Sequence, residues 1–439
     1  MSDRELLEVC DRVLALVGDG AEAQVSVAEG VDGLTRFANS SIHQNVGERV
    51  RSVQLQVALE GRVASAATTR TDDEALASLA SSAIRAASLR PVDPQWPGMA
   101  PLAPLAPAEH WDDATDAAGP DDRAAVVRAF VAAGEGLSAA GYCATRATRV
   151  GLATTAGQRF ETRATSATLD GIQRTGTADG SGRQTALSLR HLDGAAAGRR
   201  AAAKARGASE AADLEPGTYE VILERGCVAN ILDFLATFGF NAKAHEQGTS
   251  FVHLGERQFD ESVSIWDDAT DERSIGFLHD AEGTPKRHLD LVRGGVTTGL
   301  AHDRRTAARA GTESTGHATS DAYVAGPFPQ NLFFGAGTRP ADALIASVNR
   351  GLLVTDFWYT RILDPKTQVV TGLTRNGVFL IENGEVGRAV RNLRFTQSYV
   401  AALRPGNVVG IGDDARLVGQ HHVPTVHLAA WSFTGGAAG

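Results

Sequence analysis

The sequence predicts an α+β protein in two domains: an N-terminal α/β domain with a sheet and flanking helices over residues 1–213, and a β-rich C-terminal domain of antiparallel strands over 214–439. Three observations carry this reading. At 439 residues the chain is too long for one small core. Helical and strand patterns interleave up to an alanine-rich stretch that ends near Asp213 to Gly217. Beyond it Tyr219, Val221 and Leu223 alternate, and strands dominate from there on.

Near the start, Leu6, Leu7, Cys10, Val13, Leu14 and Val17 recur at helical spacing and define one apolar face. Val53, Leu55, Val57 and Leu59 then alternate as a half-buried strand, and Glu60-Gly61 turns the chain into Arg62 to Ala66 as a hairpin. A second helix is expected to open on a capping box, Thr71 with Glu74, and to bury Leu76, Leu79, Ala83 and Ile84. Residues 91–107 hold six of the fifteen prolines, which suits a semi-extended surface connection. A third helix follows on Val126, Val127, Phe130, Val131 and Leu137. Strand-like sequence from Cys143 to Leu189 is expected to break at glycines such as those of Gly180-Ser181-Gly182. Arg199, Arg200, Lys204 and Arg206 read as the solvated face of the alanine-rich helix. Farther on, Gly335-Ala336-Gly337 leads into a helix expected between Pro340 and Gly351. A meander from Leu352 to Phe395 turns at Asp364-Pro365, Asn376-Gly377 and Asn383-Gly384, since Asn and Gly both tolerate positive φ.

Composition excludes several classes. With 43% hydrophobic and 21% charged residues the chain reads as an ordinary folded protein. A net charge of −10 argues against a nucleic-acid binder, which presents a basic surface. No apolar run approaches the ~18 residues that span a bilayer. The polar opening Met1 to Glu5 is no secretion signal. Cys10, Cys143 and Cys227 are odd in number and widely spaced, which suits reduced thiols in the cytoplasm.

The chemistry-bearing motifs are mostly incomplete. His245-Glu246 begins like a zinc-peptidase helix, but Thr249 and Ser250 stand where a second histidine ligand belongs. His253 lies two helical turns from His245, about 12 Å along an axis and too far to share one metal. His421, His422 and His427 have no Asp, Glu or Cys at ligand spacing. Ser314 lacks the glycine two residues before it that a nucleophile elbow needs, and Pro340 replaces the third glycine of a dinucleotide loop. No catalytic or metal-ligating residue is assigned. A polar cluster with few apolar residues remains: Thr298, His302, Asp303, Arg304, Arg305 and Gly311 through His317. It cannot serve as core, and is either an exposed loop or the lining of a polar site or interface.

Four segments resemble signatures of the TldD/PmbA proteins. They are Gly33 to Asn45, Gly299 to Arg305 with Gly311 to His317, Gly351 to Tyr359, and Thr371 to Arg375 through Asn392 to Phe395. In that family, TldD subunits carry His-Glu-x-x-x-His and a C-terminal cysteine that bind the catalytic metal, whereas PmbA (TldE) subunits lack both. Ser250 and the absence of a C-terminal cysteine place this chain's resemblance with PmbA. The resemblance implies a cytoplasmic heterodimer with a TldD-type subunit, enclosing a cavity in which unfolded or leader peptides are cleaved. Zinc is then expected in the TldD partner and no cofactor in this chain, which would close the cavity and help hold substrate. His302, Asp303, Arg304, Glu313, Ser314, Thr315 and His317 are the candidates for facing substrate or partner. The alternatives are a self-sufficient hydrolase with an unrecognised site, and a non-catalytic binding protein for an enzyme such as gyrase.

Overall fold

The computed structural model describes residues 3–320 and 322–436; Met1 and Ser2 of the polar opening lie outside the described residues. Helix α1 (Asp3–Val17) leads into β1 (Glu22–Ala38), β2 (Ser41–Leu59), β3 (Arg62–Thr68) and α2 (Asp73–Ser88). Beyond the proline-rich stretch come α3 (Asp113–Asp116), α4 (Pro120–Ala132), β4 (Ser138–Thr154), β5 (Arg159–Arg174), β6 (Asp179–Ala186) and α5 (Gly194–Gly207). The six strands form one antiparallel sheet in the order β3-β2-β1-β4-β5-β6. Helices cover one face in two pairs. Leu6, Cys10 and Val13 of α1, with Leu76 and Leu79 of α2, close over Val25, Val27, Val53, Leu55 and Val57. Val127 and Phe130 of α4, with Ala197 and Ala201 of α5, close over Phe37, Cys143 and Leu169.

The expected hairpin is present, with Glu60 and Gly61 at φ 48° and 78° joining β2 to β3. Three local readings need correction. The cap of α2 is Asp72, whose carboxylate accepts from Ala75 N, so the helix opens one residue later than a Thr71 cap would set it. Leu137 lies beyond α4, which ends at Ala132. Gly180 and Gly182 do not break a strand but sit inside β6, where α5 lies almost on the backbone. A Cβ at Gly180 would stand 2.1 Å from Ala201 O, and one at Gly182 2.1 Å from Ala197 O. Basic residues of α5 are not all solvated either, since Lys204 Nζ reaches Glu224 at 2.6 Å.

The second half begins with β7 (Gly217–Leu223), α6 (Arg225–Phe238), α7 (Ala242–Glu246), β8 (Ile265–Asp267), β9 (Leu289–Arg293) and β10 (Val296–Thr297). Then follow α8 (Arg304–Ala310), α9 (Ala322–Ala325), β11 (Leu332–Phe334), α10 (Ala341–Ala346), β12 (Arg350–Val354), β13 (Phe357–Asp364) and β14 (Val369–Thr374). The chain closes with β15 (Val378–Glu382), β16 (Glu385–Val390), β17 (Leu393–Ser398), α11 (Tyr399–Ala402), β18 (Val408–Ile411), β19 (Arg416–Val418), β20 (His421–Val423) and β21 (Val426–Gly436).

Two sheets result, ordered β10-β9-β8-β11-β20-β19 and β13-β14-β17-β21-β7-β12-β15-β16, with β18 against β21. Pairing is mostly antiparallel, with β7–β12 and β11–β20 parallel. The hydrophobic residues of α6 are buried against both sheets in one core with Trp431, Phe395, Phe357 and Tyr399. The meander is only partial. Asn383-Gly384 closes the β15–β16 hairpin, but Asn376-Gly377 carries the chain from β14 to β15, which lie at different places in the sheet. Pro340 caps α10 from outside, and Gly351 lies in β12, so that helix is shorter than the Pro340–Gly351 reading.

Gly182→Ala is expected to destabilise the chain by about 1–3 kcal/mol, the usual range for overpacking. Gly47→Ala has open space around its Cβ and should stay within about 0.5 kcal/mol. Urea unfolding of both variants checks this, and equal losses would remove the close-approach explanation.

Candidate functional site

Helix α8 anchors the polar segment. Asp303 is its N-cap, accepting from Thr306 N at 2.6 Å, and Gly311 ends it in the left-handed conformation at φ 65°. Asp303, Thr306, Ala307 and His317 are buried, so the expectation that this stretch could not be core is overturned. The physical reason is that its polar groups satisfy one another. Thr315 Oγ1 accepts from His302 N at 2.7 Å, and Thr315 N and Ser314 Oγ both donate to His302 O. Burial draws the His302 imidazole below its ordinary pKa.

Beneath it lies a charged network that sequence reasoning missed. Asp267, at the end of β8, is fully buried, with His317 Nε2 3.0 Å from one carboxylate oxygen and Asn331 N donating to the other at 2.7 Å. Thr315 Oγ1 lies 2.9 Å from His317 Nδ1, so both ring nitrogens are engaged. Lys286 Nζ reaches Asn331 Oδ1 at 3.1 Å and Gln330 Oε1 at 3.3 Å. Burial opposes the Asp267 charge, but His317 and then Lys286 overcome it and hold the carboxyl below its usual range. Asp280 accepts from Glu282, Thr284 and Ala318 backbone N–H groups, yet burial still pushes it up to about 6. Glu282 accepts from Arg304 N at the start of α8, and burial with the neighbouring Asp280 raises it to about 8. Nothing in the spacing of Asp267, Asp280, Glu282 and Lys286 separated them from surface residues in the sequence.

The network floors a groove of about 880 Å³ between the proline-rich stretch and the second half. Arg304, Glu313 and Ser314 line it, together with Pro101, Pro104, Lys286 and Arg287. Arg287 donates to Glu313 at 3.0 Å and to Ser314 O at 2.9 Å on the rim. Arg304 donates to Pro97 O and Gly98 O, and Arg305 pairs with Asp93, so α8 pins the proline-rich stretch over the groove. The structure therefore brings Arg304, Glu313 and Ser314 to one surface, while His302, Asp303, Thr315 and His317 support it from below.

The histidines do not gather. His245 and Glu246 end the five-residue helix α7, which rules out a long helix reaching His253. Ser250 Oγ donates to Gly239 O at 2.7 Å and accepts from Val252 N, closing the turn that follows. Arg309 holds Glu246. His421 pairs with Asp233 and His427 with Glu220, acids that come from elsewhere in the chain. Among the described residues no three His, Cys, Asp or Glu side chains are grouped as metal ligands.

Comparison with known proteins places this geometry. The PmbA/TldA metallopeptidase C-terminal domain matches residues 216–435, and domain 1 of the same metallopeptidases matches residues 23–87. The chain belongs to the PmbA/TldD family. Among its relatives, a metalloprotease of Methanothermobacter thermautotrophicus is 27% identical over 231 residues, 50% of this chain and 48% of that one. The metalloprotease TldD homolog of Haemophilus influenzae is 25% identical over 198 residues, 44% of this chain and 41% of that one. The chain thus spans about half the length of the curated relatives it matches. Two solved structures share the fold over nearly the whole chain. TldE from Thermococcus kodakarensis gives a TM-score of 0.88 at 18% identity, covering 99% of this chain and 100% of that one. A protein of Thermotoga maritima described as a candidate modulator of a DNA gyrase gives 0.87 at 19%, covering 98% and 100%.

The family's name implies a catalytic metal, and the Glu246 and Ser250 side chains of the incomplete His245-Glu246 motif, like the Cys227 thiol, are engaged elsewhere. Ser250 is committed to backbone, Glu246 to Arg309, and the Cys227 thiol is buried against Val354 O with its pKa raised well above the ordinary value by burial.

Because His317 is 1% exposed, its replacement is not the mild surface change that an exposed loop would allow. His317→Ala should cost about 3–5 kcal/mol by leaving the buried Asp267 carboxylate without its imidazole partner, read as a fall in the urea midpoint at pH 7. A second outcome concerns pH. Raised carboxyls add stability that is present below their unfolded pKa and lost as pH rises through the folded value. For Glu282 that loss runs from the ordinary 4.5 up to about 8. Glu282→Gln should therefore be more stable than the parent at pH 9 and no more stable at pH 5, by urea unfolding. An unchanged gap at both pH values would refute the buried-carboxyl account.

Proposed function

We propose that this chain is the metal-free, TldE-type subunit of a heterodimeric TldD/TldE metallopeptidase acting on unfolded or leader peptides. The observation that carries the reading is the fate of the metal motif. His245-Glu246 stops its helix at once, and Ser250 builds a turn where a second histidine would have to point at a metal. The chemistry then belongs to the partner, whose metal activates water for attack on the scissile carbonyl. What this chain supplies is a wall: a preformed groove with a Pro- and Ala-lined flank, and Arg287, Glu313 and Ser314 at its rim to orient a peptide. The fold-level likeness to TldE supports the same branch. Three free, buried cysteines suit a reducing compartment, which supports a cytoplasmic setting. No described helix is long and apolar enough to cross a membrane.

The Asp267–His317 pair offers no hidden hydrolase in its place. A general base needs a ring nitrogen within reach of the proton it removes, and both nitrogens of His317 already face protein partners in a closed site.

The test is reconstitution. The purified chain should not hydrolyse an unstructured peptide, and adding a TldD-type subunit should produce chelator-sensitive cleavage. Glu313→Ala should lower the activity of the complex while leaving urea stability within about 0.5 kcal/mol, and His245→Ala should change activity little. Chelator-resistant hydrolysis by the chain alone would sink the proposal.

A further inference from the structure

Strand β13 ends the nine-stranded sheet, and among the described residues no strand pairs with its outer edge. Trp358, Tyr359 and Leu363 on it are 38%, 67% and 59% exposed. The two rings meet edge to face with centroids 5.1 Å apart. Tyr359 holds φ at 49° within a bulge where the register with β14 slips between Trp358 and Arg361. A bulky residue rarely adopts that backbone, and such strain persists where the surroundings or a function demand it.

The neighbouring strands extend the surface. Trp358 lies opposite Leu373 of β14, which lies opposite Arg394 of β17, and Arg361, Thr371 and Thr396 form the next row. Arg375 stacks on Trp358, its guanidinium carbon 4.2 Å from the ring centroid. Arg361 and Arg394 are exposed, and among the described residues neither forms an ion pair. Asp364 is the single acid in the sequence of these three strands, and its carboxylate is taken up by Thr367 Oγ1 and Lys366 N. A chain with a net charge of −10 thus carries a corner that is locally cationic and aromatic. Trp, Tyr and Arg are the residues that dominate binding energy in interfaces.

We propose that this corner of the nine-stranded sheet docks an extended acidic peptide, with Trp358 and Tyr359 as aromatic anchors and Arg361 and Arg394 as carboxylate partners. The proposal deepens the peptide-handling part of the function above and rests on it for the class of ligand. The bulge and the arginine also blunt the edge against indiscriminate strand pairing. Recognition therefore runs through side chains of the outer face, where charge sets specificity and on-rate.

Fluorescence polarisation on the isolated chain tests this, using a fluorescein-labelled ten-residue peptide of alternating Asp and Val and a second with Lys replacing each Asp. The acidic peptide should bind and weaken with salt, and the basic one should not. Arg361→Glu with Arg394→Glu, and separately Trp358→Ala, should each cut affinity at least tenfold, whereas Arg36→Glu on the first sheet should not. Circular dichroism confirms that the variants fold. Equal binding of both peptides, undiminished binding in the corner variants, or no binding at all overturns the proposal. So does a dimer of the chain that Trp358→Ala dissociates, since the corner would then be a contact between copies. The assay contains no partner subunit, so its failure leaves the reconstitution result untouched, and the reverse holds too.

Discussion

A carboxylate with no exposed surface is the constraint around which the second half is organised. Asp267 can stay charged only if donors converge on it, and they come from three separate places in the chain: His317, Asn331 and, through Asn331, Lys286. Each link fixes a loop that has no regular structure of its own. Asn331 Nδ2 goes on to Ile275 O and Ser274 Oγ, and Asp280 gathers the backbone of residues 282, 284 and 318. The groove floor is thus a polar core, rigid because leaving any one member unpaired in a low-dielectric interior is costly.

From that floor the order spreads to the first half. Helix α8 sits on Glu282 through Arg304 N and sends its arginines outward to Pro97, Gly98 and Asp93. At the far side Asp356, buried and pushed above its usual range by burial, still receives Arg183 at 2.5 Å and Asn376 at 2.9 Å. Both contacts cross from one half of the chain to the other or brace a group that does. A groove walled by one half and floored by the other keeps its shape only while such crossings hold.

Periodicity made much of the fold legible. The α1 face, the β2–β3 hairpin and the two-residue Asn383-Gly384 turn follow from alternation, helical spacing and tolerance of positive φ. What failed were inferences in which one residue type has two uses. Gly180 and Gly182 looked like chain breaks, yet they admit α5 to the sheet. Asn376-Gly377 has the backbone of a hairpin turn, but pairing partners are set by the sheet as a whole, and the chain crosses over there. The polar segment was located but misjudged in depth, because hydrophilic composition reports exposure only when the polar groups lack internal partners. Thr315, His302 and His317 find theirs in one another and in Asp267. Asp267, Glu282 and Lys286 carried no periodic or motif signal, since their partners lie tens of residues away in sequence, and the near partners of Asp280, Glu282 N and Thr284 N, make only a local turn.

The proline-rich stretch looked like a tether, and its attachments give it another character. It is fastened to the second half by Arg304 and Arg305 and to the first by Glu22, which accepts from Trp96 Nε1 and Met99 N. Gln24, Gln158 and His110 reach the second half independently, at Ala281, Gly283 and Gly276. The union of the halves therefore rests on several fastenings besides the chain link near Asp213. A backbone nick in the proline-rich stretch would cut neither that link nor the contacts made by Gln24, Gln158 and His110.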